Sequence, residues 1–254
     1  MRRVLVIGIG AGDPDHLTVQ AIKALNQVDV FFVVDKGADT HDLTRLREEI
    51  CERFIERPGY RMVHVPDPPR DRTAAAYRAA VEDWRRRRAE LWGRMLGEEL
   101  GEGDCGGFLV WGDPSLYDST LDVLERILAE GRLELDVEVI PGISSVQALA
   151  AGHRIALNRV GGPVHITTGR RLADGFPDHS DDVVVMLDAA CTFEGLTDQD
   201  LDIYWGAYVG TDDELLVSGR LADVAAEIKA ARQAARERKG WVMDTYLLRR
   251  RPQR

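Results

Sequence analysis

Three short segments of this chain gather residue types that hold a small molecule. The first is Val4-Leu-Val-Ile-Gly-Ile-Gly-Ala-Gly-Asp-Pro14, an apolar run that passes into Gly8, Gly10 and Gly12 before Asp13-Pro14. Glycines at alternate positions permit positive φ and leave no Cβ between backbone and ligand. Their spacing is G-x-G-x-G. In the G-x-G-x-x-G of dinucleotide sites, the third glycine lies in the opening helix and the pyrophosphate sits on that helix's N-terminus. Asp13 and Asp15 favour a helix start but repel a diphosphate, so this loop suits a ligand without one.

The second segment is Trp111-Gly-Asp-Pro-Ser-Leu-Tyr117 and the third is Pro141-Gly-Ile-Ser-Ser145; Val183-Val-Val-Met-Leu187 adds a fourth element later in the chain. Each has an ordinary alternative. Asp-Pro is a common turn, Ser144 can cap a helix, and Met186 can fill a core.

The elements that would carry these segments follow from periodicity. Val4–Ile9, Val30–Val34, Arg61–Val65, Phe108–Trp111 and Leu135–Ile140 read as strands. Leu17, Ala21, Ala24, Leu25 and Val28 share a helical face, as do Leu43, Leu46, Ile50 and Phe54. Further helices fit Thr73–Leu100, Thr120–Glu130 and Ser144–Ala151. Alternating strands and helices predict an α/β fold with a largely parallel sheet covered on both faces. The first three segments then follow strand C-termini, where open sheets of this kind bind ligands.

Beyond Asn158-Arg-Val-Gly-Gly-Pro163, strands at Val164–Thr168, Val183–Leu187, Ile203–Val209, Leu215–Ser218 and Trp241–Leu248, with a helix at Ala222–Arg236, predict a second α/β domain with some antiparallel pairing. The expected division is 1–159 and 160–254. Trp84-Arg-Arg-Arg-Arg88 invites a nucleic-acid reading. However, Tyr77, Val81, Trp84, Leu91 and Met95 keep helical spacing, so the arginines are expected outward, beside Glu82, Asp83 and Glu90, as a solvated face.

At 254 residues the chain can bury a substantial core. A net charge of -10 argues against a general affinity for nucleic acid or anionic membrane, because counterion release needs a basic face. No apolar run approaches the ~20 residues of a membrane span, and no signal-peptide h-region follows Met1, so a cytoplasmic protein is expected. Cys51, Cys105 and Cys191 are odd in number and far apart, which predicts neither a disulfide framework nor a metal site.

Taken in order, Gly-Asp-Pro-Asp-His-Leu-Thr18, the Trp-Gly-Asp-Pro segment, Pro-Gly-Ile-Ser-Ser and Val-Val-Val-Met-Leu resemble the tetrapyrrole methylase family over nearly the whole chain. That resemblance implies two α/β domains with S-adenosylmethionine folded in the cleft between them. It implies cofactor contacts from Gly10 and Ala11 in the first loop, where many relatives carry proline at position 11. Trp111, Gly112, Asp113 and Leu116 would follow from the Gly-Asp-Pro loop, Ser144 and Ser145 from the Pro-Gly-Ile loop, and Met186 from the second domain. A sulfonium with amino-acid and adenosine ends needs a carboxylate or carbonyls, hydroxyls, and an apolar slot, which this set supplies.

Within the family, Trp-Gly-Asp-Pro-Ser-Leu-Tyr-Asp-Ser-Thr120, the long arginine-rich helix and Gly169-Arg-Arg171 are similar to the branch that methylates precorrin-5 at C1 and releases acetate. Methyl transfer needs mainly alignment in a dry cleft; acetate release needs water and a managed proton. Tyr117 is the preferred catalytic residue, with Asp118 and His165 as alternatives. Arg72, Arg159 and Arg170, with Arg70 and Arg171 beside them, are candidate partners for the substrate's carboxylates. Relatives are commonly homodimers, and the same state is expected here. Other acceptors, including RNA or a diphthamide precursor, stay open, as do a tetrapyrrole-binding module without catalysis and an NAD-linked oxidoreductase using Asp35.

Overall fold

A computed structural model describes residues 1–35, 41–68 and 77–252. The chain forms two compact units, Met1–Gly10 with Pro14–Ile143 and Ala11–Asp13 with Ser144–Arg254. In the first, strands β1 (Arg2–Gly8), β2 (Val30–Asp35), β3 (Arg61–Pro66), β4 (Cys105–Val110) and β5 (Leu135–Ile140) alternate with helices α1 (Val19–Leu25), α2 (His41–Phe54), α3 (Tyr77–Glu99) and α4 (Thr120–Ala129). The sheet is parallel throughout, in the order β3-β2-β4-β1-β5.

Alternate residues of β1 face opposite layers. Leu5 and Ile7 pack with Leu25 of α1 and Ile50 of α2, while Val4 and Val6 pack with Trp92 of α3 and Ile127 of α4. Burial on both faces is why β1 reads as a continuous apolar run. The helices that leave the neighbouring strands β1 and β4 therefore lie on opposite faces. Such a switch in direction opens a crevice at the strands' carboxyl ends.

Helix α3 corrects one expectation. Arg85, Arg86 and Arg87 do form surface ion pairs, with Asp122, with Asp83 and Glu90, and with Asp83. Arg88 does not: its side chain is 3% exposed and its guanidinium lies 4.7 Å from the ring centroids of both Trp84 and Trp92. Positions 84, 88 and 92 are spaced by four, so they share the buried stripe of the helix.

The second unit contains α5 (Ser145–His153), β6 (Val164–Thr168), α6 (Gly169–Leu172), β7 (Asp182–Met186), β8 (Leu201–Ala207), β9 (Leu215–Arg220), α7 (Leu221–Lys239) and β10 (Asp244–Arg250). Its sheet runs β6-β7-β10-β8-β9. Only β6 and β7 pair in parallel; β10 lies antiparallel to both β7 and β8, and β9 antiparallel to β8. The short α6 and a 3-10 turn at Thr192–Leu196 had no counterpart in the sequence reading.

The units divide at 143/144, whereas the glycine-proline cluster placed a boundary at 159/160. Helix α5 accounts for the difference, because it packs on β8 and β10. His153 on α5 lies 2.9 Å through Nε2 from the Trp205 carbonyl.

Candidate active site

Three loops meet at the carboxyl ends of β1, β4 and β5. Gly10 and Gly112 form a two-residue antiparallel bridge, with Gly112 N–H to the Gly10 carbonyl at 2.8 Å and Gly10 N–H to the Gly112 carbonyl at 3.3 Å. A Cβ on Gly8 would stand 2.6 Å from Gly142 N, and one on Gly142 would stand 2.2 Å from the Gly112 carbonyl oxygen. Gly10 has φ of 81°, and a Cβ there would lie 2.6 Å from His16 Cβ. At Gly8 and Gly142 backbone approaches backbone with no room for a side chain, and at Gly10 the positive φ and the His16 side chain exclude one.

Asp113 ties the loops together. Its Oδ2 accepts the Gly142 N–H at 2.8 Å, and its Oδ1 accepts the Ser115 N–H at 2.9 Å together with the Ser115 hydroxyl. Burial pushes this carboxyl up, but the bonds from Ser115 and Gly142 outweigh it and hold the group below its ordinary range. Leu116 N–H closes the turn on the Asp113 carbonyl at 3.2 Å.

Tyr117 follows with φ of 54°, a left-handed conformation that a bulky residue keeps at a cost of ~1–3 kcal/mol when its surroundings enforce it. Its side chain is 45% exposed, and partial burial raises its hydroxyl above the usual tyrosine value. Asp118 Oδ1 accepts the Thr120 N–H at 2.7 Å and so caps α4. Arg47 of α2 donates to the Leu109 carbonyl at 3.1 Å; burial lowers its pKa and Asp118 opposes that shift. Three buried ring nitrogens have no hydrogen-bond partner among the described residues: Trp92 Nε1 in the α3 core, and His16 Nδ1 and Trp111 Nε1 in the loops of this junction.

In the second unit, a Cβ on Gly12 would lie 2.5 Å from Thr211 Cγ2, and φ there is 152°. Ser144 caps α5 by accepting the Val146 N–H at 3.2 Å and also bonds Gln147, and Ser145 opens the helix. Met186 ends β7 in register with Thr168 of β6 and Thr245 of β10. The chain then turns through Leu187, φ 54° and 65% exposed, into Asp188. Asp188 is buried and accepts from Thr192 N–H at 2.7 Å and from the Tyr246 hydroxyl at 2.7 Å.

The sequence profile of the tetrapyrrole (corrin/porphyrin) methylases matches residues 3–225 of this chain. The chain belongs to the tetrapyrrole methylase family. A precorrin-6A synthase (deacetylating) from a Sinorhizobium species is 50% identical over 250 residues, covering 98% of this chain and 96% of that protein. The crystal structure of a cobalamin synthesis related protein, CobF, from Corynebacterium diphtheriae superposes with a TM-score of 0.85 at 38% identity, covering 98% of each chain. A uroporphyrin-III C-methyltransferase from Thermus thermophilus, complexed with S-adenyl homocysteine, has the same fold, with a TM-score of 0.60 at 20% identity over 97% of this chain and 96% of that one.

As a tetrapyrrole methylase, this chain places the candidate residues unequally. Gly10, Trp111, Gly112, Asp113, Leu116 and Tyr117 gather at one strand-end junction of the first unit, and Met186 stands at a strand end of the second. Arg170 lies on α6, two residues past Thr168 and so at the same sheet end as Met186. Arg159 does not: its guanidinium engages the Arg250 carbonyl and, at 3.6 Å, Asp181, at the opposite end of β7. His165 is an exposed residue near the start of β6. Arg70 and Arg72 lie outside the described residues, as does the side chain of Asp35.

Sequence reasoning passed over His16, Arg47 and Arg88. For Arg88 a signal existed in its spacing of four from two tryptophans. For Arg47 there was none, since Leu109 and Asp118 are distant in the chain; His16 stood within the Gly-Asp-Pro-Asp-His-Leu-Thr18 motif without a role of its own, beside Gly10.

Proposed function

We propose that this tetrapyrrole methylase is the S-adenosylmethionine-dependent C-methyltransferase that converts precorrin-5 to precorrin-6A, methylating C1 and releasing acetate. The observation that carries this reading is the end-to-end match to a precorrin-6A synthase at 50% identity. The geometry of the first unit supports it. The Gly8, Gly112 and Gly142 contacts hold three strand-end loops together with no room for side chains, and the buried Trp111 Nε1 and His16 Nδ1 are left with hydrogen-bonding capacity that a polar ligand can use. Gly10, Trp111, Gly112, Asp113 and Leu116 of the first unit would hold the cofactor; Ala11, Ser144, Ser145 and Met186 of the second unit are further candidates by family resemblance alone.

When bound, S-adenosylmethionine supplies an activated methyl group and leaves as a neutral thioether. The chain's own part in that step is alignment. Asp113 keeps the Gly-Asp-Pro and Pro-Gly-Ile loops in one geometry through Gly142 and Ser115, which removes reorganisation from the reaction itself. Acetate release asks more, because water adds to a carbonyl carbon and a proton must be held. Tyr117 is the residue proposed for that task. A tyrosine hydroxyl is protonated near neutrality, and partial burial moves its pKa further up, so it acts as a donor rather than a base. Arg170 is the arginine carried forward as an acceptor carboxylate partner; Arg159 is engaged elsewhere. A cytoplasmic homodimer belongs to this reading by family resemblance, and light scattering of the purified protein tests the dimer.

The deciding experiment is calorimetric titration with S-adenosylhomocysteine, for the native chain and Asp113→Ala, followed by incubation with precorrin-5. Binding that weakens in the variant, with equimolar acetate and methylated product in the second step, is the expected result. A folded protein without affinity for S-adenosylhomocysteine overturns the reading. Binding with turnover of a different precorrin moves the acceptor but keeps the cofactor.

A further inference from the structure

Arg88 is the one member of the arginine run that the surface-face explanation does not reach. Its Nε lies 2.7 Å from Asp67 Oδ1, just beyond β3, and its Nη1 donates to Ser119 Oγ at 2.6 Å, just before α4. The guanidinium lies over the rings of both Trp84 and Trp92, 4.7 Å from each centroid, and Trp84 Nε1 is itself fixed on the Pro68 carbonyl at 2.9 Å. A planar fork of this kind joins two loops in a way that a lysine cannot.

Ser119 shows where the bond is directed. It occupies the N-cap position of α4, yet its hydroxyl makes no capping bond. Asp118 Oδ1 takes the Thr120 N–H instead, which leaves the Ser119 oxygen to Arg88. Two residues earlier stands Tyr117, held at φ 54°. A left-handed tyrosine persists only where neighbouring contacts over-determine the chain, and the Arg88–Ser119 bond is one such contact.

We infer that Arg88 is a positioning residue for the acceptor side of the reaction: by clamping Ser119 against the β3 exit it fixes Tyr117, while Asp113 independently fixes the cofactor loops. The inference rests on the proposed function for its acceptor, and the two clamps share no residue. Loss of the Arg88 clamp therefore affects turnover of the tetrapyrrole and leaves cofactor affinity alone.

Arg88→Lys keeps the charge and removes the fork; Ser119→Ala removes only the far end of the bond and no helix cap. Each is examined for S-adenosylhomocysteine affinity, for kcat and KM with precorrin-5, for acetate formed per methyl transferred, and for amide exchange across 115–120. Both variants are expected to lower kcat about tenfold or more, to lower acetate per methyl, and to speed exchange at 117–120. S-adenosylhomocysteine affinity should stay within about twofold of native, and the double variant should be no worse than Arg88→Lys alone.

Equal loss of cofactor affinity and turnover would make Arg88 a general structural residue and overturn the inference, as would native kcat in both variants. If the native protein binds S-adenosylhomocysteine but is inert toward precorrin-5, the proposed acceptor fails. The exchange measurement then still decides the clamp, and unchanged protection at 117–120 in Arg88→Lys refutes it.

Discussion

Replacing Gly142 by alanine probes the junction directly. The new Cβ would be placed 2.2 Å from the Gly112 carbonyl oxygen and 2.8 Å from both Gly8 Cα and Gly8 C, whereas ordinary contact begins at 3.4 Å. The shortfall is 3.4 − 2.2 = 1.2 Å against main chain on two strands' ends, so no side-chain rotation relieves it. The Gly142 φ is outside the left-handed region, so alanine has no conformational penalty of its own there. Overpacking of this kind costs about 1–3 kcal/mol. If the loop gives way instead, the 2.8 Å bond from Gly142 N–H to Asp113 is lost. A bond to a charged group contributes about 1.5–3 kcal/mol. Displacement near 1 Å at a reacting centre costs on the order of a hundredfold in rate. Gly142→Ala should therefore fold with a lowered Tm, bind S-adenosylhomocysteine at least about tenfold more weakly, and turn over about a hundredfold more slowly. Gly195→Ala is the control, since nothing lies within 4 Å of the added Cβ. Its stability should change by less than about 0.5 kcal/mol. Native affinity and native Tm in Gly142→Ala would refute the claim that this backbone contact forms the site.

Asp113→Asn retains one acceptor oxygen and loses the charge, so cofactor affinity should fall less than in Asp113→Ala, by about tenfold, in a calorimetric titration. Because the native carboxyl titrates below its ordinary range, its contribution is present above pH ~4 and is lost as pH falls through the lower native value; acid titration of loop protection by hydrogen exchange measures this. Tyr117→Phe should preserve S-adenosylhomocysteine affinity and lower acetate release by about a hundredfold, read as acetate per methylated product. Burial pushes the Cys51 thiol up to about 12 and the Cys105 thiol up to about 11. Unfolded thiols lose their protons near pH ~8.5 while the native ones keep theirs, so stability should decline from that pH toward 11. Urea midpoints between pH 8 and 10.5 test the slope, and neither cysteine should alkylate in the native state at pH 8.

The sequence by itself determined the longer elements and most of the glycines at the junction. Val4–Ile7 had to be a doubly buried strand because four consecutive apolar residues leave no solvent face. Gly8, Gly10, Gly112 and Gly142 marked places where a side chain is excluded, since glycine after an apolar strand has few other uses. The family motif also drew attention to Asp113, which joins the Gly-Asp-Pro loop to Gly142. The long helix was legible too, although counting arginines hid that Arg88 shares a stripe with Trp84 and Trp92.

Tertiary structure decided what joins residues distant in the chain. That Asp113 binds Gly142 depends on β1 lying between β4 and β5, a strand order that local periodicity does not encode. That Arg159 turns to Asp181 and the Arg250 carbonyl, away from Met186, depends on the direction of β7 and on β10 pairing beside it. Ser119 illustrates the same division at one residue: its position names it a helix cap, and only the approach of Arg88 from another helix gives its hydroxyl a different partner. Local sequence sets backbone preference through a few neighbours, whereas the partners of a buried polar group are chosen by whichever desolvated group the fold brings within reach.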